Sequence, residues 1–164
     1  MNDPVTPSSK PQAKPKASPM QLALQQAVAA AERGEVPVGA VITDAKGYVI
    51  AANGNSIIEY ADRTAHAEML VIREATTTLK NERLVDCNLY VTLEPCPMCA
   101  GAISLARIKR LYYGAADEKA GGAEHGIRLF SHPSCHHRPE VYGGIEEIAC
   151  ATILQSFFAA RRQS

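Results

Sequence analysis

Residues 88–107 read NLYVTLEPCPMCAGAISLAR, and the pattern of apolar residues changes in the middle of this stretch. The run NLYVTL is rich in β-branched and aromatic residues with little polar alternation, which is typical of a strand buried on both faces. From Pro95 onward the sequence favours a helix, and Pro97 suits the first helical turn because its missing N–H needs no partner there. The stretch predicts a strand that leads into a helix, with Cys96 and Cys99 at the junction.

The segments before this stretch add a helix, a hairpin and a second helix. A helical pattern starts at Met20, and Gly34 suits its C-terminal end. Two β-branched runs, VGAVIT and YVIAAN, flank the turn sequence DAKG and predict a β-hairpin. After the loop NSIIEYADR, the sequence TAHAEMLVIREATTTLK returns to the helical period, with Thr64 as the predicted N-cap.

The segments after the stretch predict one more strand and a closing helix. IKRLYYGA has the composition of a strand, whereas the residues from the glycine-rich turn AGGAEHG to SHPSCHHRPEV look irregular. GIEEIACATILQSFFAARRQ has the pattern of an amphipathic helix. A hairpin followed by helix–strand–helix–strand predicts an α/β domain, in which a mixed sheet carries helices on both faces.

Length and composition limit the class of protein. The 164 residues suffice for one domain with a hydrophobic core, and no run approaches a membrane span of about 18 apolar residues. Residues 1–19 contain five prolines and three lysines, so we predict a disordered tail there and the folded domain at residues 20–164. The tail lacks the apolar segment of a secretory signal, which predicts a cytoplasmic protein without membrane contact. A formal net charge of zero means that any nucleic acid must bind through a local basic patch.

The five cysteines, an odd number, argue against a disulfide framework and leave three interpretations of Cys96 and Cys99. A redox pair is one alternative, because a C-x-x-C in a βαβ unit is also the thioredoxin-like pattern. A structural zinc site would need a second pair, whereas the other cysteines, at 87, 135 and 150, are single. The sequence SCHH at 134–137 is a rival metal cluster, although loop histidines more often make ordinary hydrogen bonds.

The third interpretation is a catalytic zinc site with three protein ligands and water in the fourth position. The candidate imidazole is His66, which we place in the first turn of the helix that follows the hairpin. Cys96 and Cys99 hold the equivalent place in the next unit, and ligands in such sheets collect beyond the carboxyl ends of the strands. Two helix N-termini would then converge on one point, where their partial positive charge favours thiolates.

Glu68 lies two residues after His66 in the same helix. Helical side chains lean toward the N-terminus, so both residues can reach a point just beyond the helix end. A carboxylate that lies near the metal without ligating it is placed to take a proton from water and deliver it to a leaving group. We therefore predict Glu68 as the catalytic residue, although the same carboxylate taken alone could equally be an exposed helix residue.

The pattern HAE at 66–68, followed by PCPMC at 95–99, is similar to the signature of the zinc-dependent cytidine and deoxycytidylate deaminases. Within that superfamily the chain resembles the bacterial tRNA-specific adenosine deaminases, from about residue 20 to the C-terminus. The stretches that carry the resemblance are EVPVGAV, TAHAEM, LYVTLEPCPMCAGAI, HHRPEV and FFAARRQ. The chain departs from the family where the glycine-rich turn runs into AEHG.

The resemblance implies a fold, a cofactor and an activity. The fold is the three-layer α/β/α cytidine-deaminase-like arrangement with a mixed five-stranded sheet. The cofactor is one Zn²⁺ per subunit, held by His66, Cys96 and Cys99. The activity is hydrolytic deamination of adenosine to inosine at the wobble position of a tRNA anticodon stem-loop, by a homodimer.

The resemblance also implies contacts to the target base and its neighbours. Asn55 is expected to contact the base, because an amide can donate and accept along a purine edge. The backbone N–H of Ala67 is expected near the reacting carbon. Asp117 and Lys119 are expected to meet the nucleotides that flank the target.

The C-terminal sequence FFAARRQS suggests a further RNA contact. Phe158 is predicted to stack on a splayed-out nucleotide, and Arg161 and Arg162 to bind phosphates beside it. The other basic residues of the predicted patch are Lys119, Arg138, Lys109 and Arg110.

Two other functions compete with this one. A deaminase of a free nucleobase or nucleoside, of the guanine or cytosine type, would use the same chemistry. A zinc-stabilised binding module would have no activity, but such a site gains nothing from a non-ligating carboxylate at the position of Glu68. The arginine-rich tail favours RNA, because a free-base deaminase commonly uses its tail to close the pocket over a small ligand.

Overall fold

The computed structural model describes residues 16–163, and their centre is a sheet of five strands. The strands are β1 (Gly39–Thr43), β2 (Val49–Gly54), β3 (Asn88–Leu93), β4 (Arg110–Ala115) and β5 (Glu140–Tyr142). They lie in the order β2–β1–β3–β4–β5. β1 runs antiparallel to β2 and β3, whereas β3, β4 and β5 are parallel. The sheet is therefore mixed and five-stranded, as predicted.

Four helices cover the sheet, two on each face. They are α1 (Pro19–Glu32), α2 (Ala67–Leu79), α3 (Pro97–Leu105) and α4 (Glu147–Arg162), with a 3₁₀ turn at Leu129–Ser131. Alternate residues of β1 divide the two cores: Ile42 packs in the core that α2 and α3 share, whereas Val41 packs with Met20 of α1 and Cys150 of α4. The three-layer α/β/α arrangement is confirmed.

α1 shows how sequence signals set the start and end of a helix. Ser18 Oγ accepts a hydrogen bond from the Gln21 N–H at 3.2 Å, and the Gln21 side chain accepts one from the Ser18 N–H at 2.9 Å. This capping box satisfies two N–H groups that the helix itself leaves unpaired. The helix ends before Gly34, whose φ of +85° is the left-handed conformation that glycine adopts without strain. The predicted tail at 1–19 falls mostly on residues 1–15, outside the described residues.

Gly39 lets α1 approach the sheet closely. A Cβ at this position would lie 2.6 Å from the Ala27 backbone N of α1, which is too near for any real side chain. The Gly39 N–H donates to Thr92 Oγ1 at 3.1 Å across the neighbouring strand. The close packing of α1 fixes the segment 35–38, which leads toward the functional site.

The structure corrects two local predictions. Thr64 is not the N-cap of α2; its hydroxyl donates to Asp62 Oδ1 at 2.7 Å, so a local turn takes the side chain and the cap falls on His66. The predicted irregular segment ending in HHRPEV contains β5, which pairs with β4 from Arg110 opposite Glu140 to Tyr112 opposite Tyr142. A three-residue edge strand has too short a pattern to stand out in sequence.

The helices show no feature of a membrane span. Across residues 16–163, none of them combines the length and the apolar character needed to cross a bilayer.

Candidate active site

Two helices begin at the same point beyond the sheet. α2 starts after His66 and α3 starts after Cys96, and each of these residues is the N-cap of its helix in extended conformation. His66 was predicted inside the first turn of α2 and lies one residue earlier. Neither residue forms a side-chain cap hydrogen bond, and the two side chains face each other. The predicted convergence of two helix N-termini is confirmed.

The His66 imidazole meets two sulfur atoms at this point. His66 Nδ1 lies 3.7 Å from Cys96 Sγ and 3.5 Å from Cys99 Sγ. All three ligand atoms lie within 4.8 Å of one another. Cys99 is three residues after Cys96, so the two thiols reach the same side of the first turn of α3. One imidazole and two thiols are a soft donor set that fits zinc, and three protein ligands leave a fourth tetrahedral position open.

The hydrogen bonds inside the cluster separate the pKa values of the two thiols. Hydrogen bonds from Cys99 and then from His66, opposed by burial, lower the pKa of Cys96 to about 4. The same bond to Cys96, together with burial, raises the pKa of Cys99 above its usual range. The bond to Cys96 also raises the pKa of His66. The lowered pKa of Cys96 favours its thiolate, the form in which cysteine binds metals.

Glu68, two residues after His66, is buried. It lies in the first turn of α2 with only 4% of its surface exposed, so the interpretation as an exposed helix carboxylate is wrong. Burial raises the pKa of Glu68, and hydrogen bonds to its own backbone N–H and to Cys99 partly offset the shift.

A cavity of about 240 Å³ opens onto this cluster. Five of the residues predicted from the sequence line it: Asn55, His66, Glu68, Cys96 and Asp117. The other lining residues are Val36, Val38, Leu93, Glu94 and Ala120. The cavity is thus lined by the metal-type cluster, by apolar residues of β3 and of the segment before β1, and by the loop after β4.

Asn55 and Ala67 are joined directly. Asn55 is buried, and its Oδ1 accepts the Ala67 backbone N–H at 2.8 Å. This N–H belongs to the first residue of α2, one of the groups that a helix leaves unpaired. The bond therefore fixes the orientation of the Asn55 amide and turns its NH₂ group away from the helix.

Lys119, Phe158, Arg161 and Arg162 do not line the cavity. Lys119 is exposed on the loop beside Ala120, and Phe158 is 45% exposed near the end of α4. Arg161 is not on a frayed helix end: it donates to the Gly34 carbonyl at 2.5 Å, and its guanidinium lies 4.4 Å from the centre of the Phe157 ring. Because Gly34 is two residues before Val36, Arg161 ties the end of α4 to the segment that forms one wall of the cavity.

Two arginines of the predicted basic patch are bonded within the protein. Arg110 starts β4 and its Nε lies 2.7 Å from Glu140 Oε2, so Lys109 and Arg110 are at the opposite end of the parallel strands from the cavity. Arg138 donates to the carbonyls of Phe130 and His132. Arg110 and Arg138 thus have partners within the protein, and RNA contacts at Lys109, Arg110 and Arg138 stay predictions.

The rival cluster at 134–137 has a different role. Cys135 Sγ contacts Ser104 Oγ at 3.6 Å and donates to the His137 carbonyl, while the His137 ring contacts the Ile108 carbonyl at 2.6 Å. Within the described part of the chain, the grouping that could hold a metal is His66, Cys96 and Cys99, and it includes none of these residues. The segment is held to the end of α3 by ordinary hydrogen bonds.

Sequence reasoning missed two buried carboxylates. Glu35 Oε1 accepts the N–H groups of Ile58 and Glu59 at 2.8 and 2.9 Å and so fixes the loop that precedes His66. Glu94 lines the cavity and accepts from the loop after β4. The sequence did contain a signal for both residues: Glu94 directly follows a buried strand, and Glu35 lies between the end of a helix and a buried strand. What each carboxylate binds depends on residues more than twenty positions away.

Comparison with known proteins gives the class of protein to which this site belongs. The family model described as MafB19-like deaminase matches residues 15–162. The fold and the site therefore define a deaminase with a three-residue metal-type centre.

Individual relatives are more specific. A tRNA-specific adenosine deaminase from Agrobacterium fabrum is 57% identical over 141 residues, 86% of this chain and 92% of the relative. A solved structure from a study of A-to-I editing by tRNA:A34 deaminases at the wobble position of transfer RNA is also 57% identical, with a TM-score of 0.81 over 83% of this chain and 98% of that one. Guanine deaminase from Bacillus subtilis is 34% identical, with a TM-score of 0.58 over 88% and 92% of the two chains. The chain belongs to the family of tRNA-specific adenosine deaminases.

Proposed function

We propose that this protein hydrolyses the 6-amino group of adenosine at the wobble position of a tRNA anticodon, giving inosine and ammonia. The observation that carries the proposal is the cavity in which the His66, Cys96 and Cys99 cluster, the Glu68 carboxylate and the Asn55 amide face one small volume. The 57% identity to a tRNA-specific adenosine deaminase supports the choice of substrate.

The metal in this proposal is one zinc ion per subunit. His66 Nδ1 and the sulfur atoms of Cys96 and Cys99 would hold it, because their spacing and chemistry fit a tetrahedral site. When bound, the ion would supply Lewis-acid activation of water at neutral pH.

Glu68 moves the proton. Its carboxylate accepts a proton from the water that attacks C6 of the adenine ring and passes it to a ring nitrogen. It then takes the second proton, from the hydroxyl group now on C6, and gives it to the 6-amino group, which leaves as ammonia while C6 becomes a carbonyl. The buried site, with 4% exposure of Glu68, excludes bulk water that would otherwise compete for the proton.

The base is oriented by the side of the cavity that carries Asn55. Because its Oδ1 is already bonded to the Ala67 N–H, the Asn55 NH₂ group is left to donate to an acceptor on the purine. Ala67 contributes to base binding because its N–H, at the start of α2, holds the Asn55 amide in place. Asp117 lines the same cavity, where it can accept from the ribose or base of a neighbouring nucleotide.

The RNA beyond the target base would contact the exposed residues around the cavity. Lys119, Phe158, Arg161 and Arg162 are the candidates, supported by their exposure and by the link from Arg161 to Gly34. A nucleotide turned out of its stack can be read in a pocket while a few cations hold the flanking phosphates. This arrangement suits a chain with no net charge.

Deamination of a free base such as guanine is the second candidate, supported by the 34% identity to the guanine deaminase structure. The higher identity and TM-score of the tRNA:A34 deaminase structure favour the RNA substrate.

We further propose a cytoplasmic homodimer. α3 exposes 78% of Leu105 and borders an apolar groove of about 270 Å³ formed with Leu129 and Cys135. α4 packs on the other face of the sheet and so cannot cover this surface. Sedimentation should give a species of twice 17.6 kDa, and a stable, active species of 17.6 kDa would contradict the dimer.

The decisive test of the activity uses zinc-loaded protein and an anticodon stem-loop with adenosine at the wobble position. Digestion of the product to nucleosides should show inosine in place of that adenosine. A stem-loop with guanosine at the wobble position is the matched control, and free adenine, guanine and cytosine are assayed in parallel. Turnover of a free base without conversion of the stem-loop would overturn the proposal in favour of the second candidate.

A further inference from the structure

Glu94 is a fully buried carboxylate next to the metal-type cluster. It follows β3, comes two residues before Cys96, and its side chain has no exposed surface. A charged group in this position is tolerated only when its oxygens are hydrogen bonded. None of the steps described above uses this residue.

Within the described residues, the hydrogen-bond partners of this carboxylate all come from one segment, residues 117–125, which we term the 117–125 loop. Oε1 accepts the Asp117 N–H at 3.1 Å and contacts His125 Nδ1 at 2.6 Å. Oε2 accepts the N–H groups of Glu124 and His125, each at 2.9 Å. One carboxylate therefore holds both ends of the loop. Burial works against the charged form, but these bonds outweigh it and lower the pKa of Glu94.

The middle of the loop is pressed against the start of α3. The Gly122 N–H donates to the Pro95 carbonyl at 2.7 Å, and a Cβ on Gly122 would lie 2.6 Å from the Pro97 backbone N. A Cβ on Gly121 would lie 2.7 Å from Glu94 Oε2. The two glycines let the loop fit between Glu94 and the helix that carries Cys99, so the loop has little room to move as long as its ends are held.

This loop forms part of the wall of the cavity. Asp117 and Ala120 line the cavity, and Asp117 Oδ1 accepts the Ala120 N–H at 2.9 Å. The position of Asp117 relative to Glu68 therefore depends on the bonds that Glu94 makes at both ends of the loop. The side chain of His125 is 35% exposed, so it can be replaced without opening the core.

We infer that Glu94 and His125 are positioning residues for the substrate, which hold the 117–125 loop and thereby set the wall of the cavity that Asp117 presents. The inference rests on the proposed function, because it assigns the wall to the binding of the nucleotide. Neither residue touches the reacting atoms. Their loss should weaken substrate binding and leave the deamination step and zinc content nearly unchanged.

The test compares three histidine variants in the zinc-loaded protein, with the wobble-adenosine stem-loop as substrate. His125→Ala should raise KM about tenfold, the scale of one charge-assisted hydrogen bond, with kcat within about twofold. His125→Asn should recover most of the loss, because its amide nitrogen stands at the position of Nδ1. His136→Ala is the matched control, since this exposed histidine lies outside the cavity; because it borders the groove of α3, the oligomeric state of this variant is measured alongside. An unchanged KM in His125→Ala, or a loss that His125→Asn does not reduce, overturns the inference.

Amide hydrogen exchange separates this inference from the proposed function. The N–H groups of Asp117, Glu124 and His125 should exchange faster in His125→Ala and fastest in Glu94→Gln, in which an NH₂ group faces N–H donors. If the wild-type protein makes no inosine, the proposed function fails and the exchange rates alone decide whether Glu94 anchors the loop. Unaltered exchange in both variants overturns the anchoring.

Discussion

The cavity has two ends that are built in different ways. At the inner end, His66, Cys96 and Cys99 are positioned by the first residues of α2 and α3, so the regular backbone of two helices brings the three ligand atoms within 4.8 Å. At the outer end, Asp117 stands on a loop that is held by hydrogen bonds to the Glu94 carboxylate, while Arg161 stands outside the cavity, at the end of α4. The comparison shows that the reactive groups are fixed by secondary structure, whereas the proposed recognition groups depend on single hydrogen bonds.

The largest expected effect is at the inner end, in the double variant Cys96→Ala plus Cys99→Ala. With two of its three ligands removed, the site should bind no zinc, and inosine formation should fall to background. Elemental analysis of the purified protein gives the zinc content per chain. Cys135→Ala is the control and should keep its zinc, because the thiol of Cys135 bonds to Ser104 and to the His137 carbonyl and not to the metal-type cluster. Zinc retained in the double variant would contradict the ligand assignment.

Glu68→Ala should have the next largest effect and should separate the metal from the proton transfer. The variant should retain zinc and fold but lose kcat by about 10²–10⁴-fold or more, the range of general acid–base catalysis. Single-turnover formation of inosine measures the loss. Glu68→Gln is the control for shape, because it keeps the volume and removes the transferable charge. A rate within about tenfold of the wild type in either variant would be incompatible with the role of Glu68.

At the outer end, the variant Asp117→Asn plus Lys119→Ala should have a moderate effect. Both residues belong to or adjoin the wall of the cavity, so kcat/KM on the stem-loop should fall about tenfold, as expected for one or two polar contacts. Lys46→Ala, in the turn between β1 and β2, is the control for loss of a lysine far from the cavity. If kcat/KM is unaltered, the loop does not contact RNA and the outer end of the cavity is wrongly assigned.

The smallest effect is expected for Arg161→Ala plus Arg162→Ala. Loss of two phosphate contacts should reduce the slope of log affinity against log salt by about 1–2. Arg162→Ala alone should act through charge only, whereas Arg161→Ala also removes the contacts to Gly34 and Phe157. Arg83→Ala, an exposed arginine before β3, is the matched control. The same salt slope in the double variant and the wild type would exclude the end of α4 as an RNA contact.

Most of the fold could be predicted because its elements carry strong local patterns. The hairpin around DAKG, the strand NLYVTL and the four helices lie where their periodicity placed them. The resemblance implied a fifth strand, but local patterns did not locate β5, because it has three residues and pairs with a strand thirty positions earlier. Thr64 was given the wrong role because a local rule for caps ignores Asp62, which bonds the threonine hydroxyl first.

The same division runs through the candidate site. The metal-type cluster and Glu68 could be found because two short motifs fix them, and the start of a helix places such residues without help from distant contacts. Glu35 and Glu94 could not be assigned, since their partners lie 23 to 31 residues away. Arg161 was predicted to be free to bind phosphate, and the structure gives it a carbonyl and a ring within the protein.

The sequence by itself determined the chemistry of this protein: which residues can hold a metal, which carboxylate can move a proton, and which elements carry them. The tertiary structure alone decided the shape of the cavity around that chemistry. The physical reason is the distance along the chain over which the deciding interactions act. Helix starts and strand periods follow from neighbouring residues, whereas a buried carboxylate such as Glu94 selects its donors only when the packed chain brings a distant loop against it.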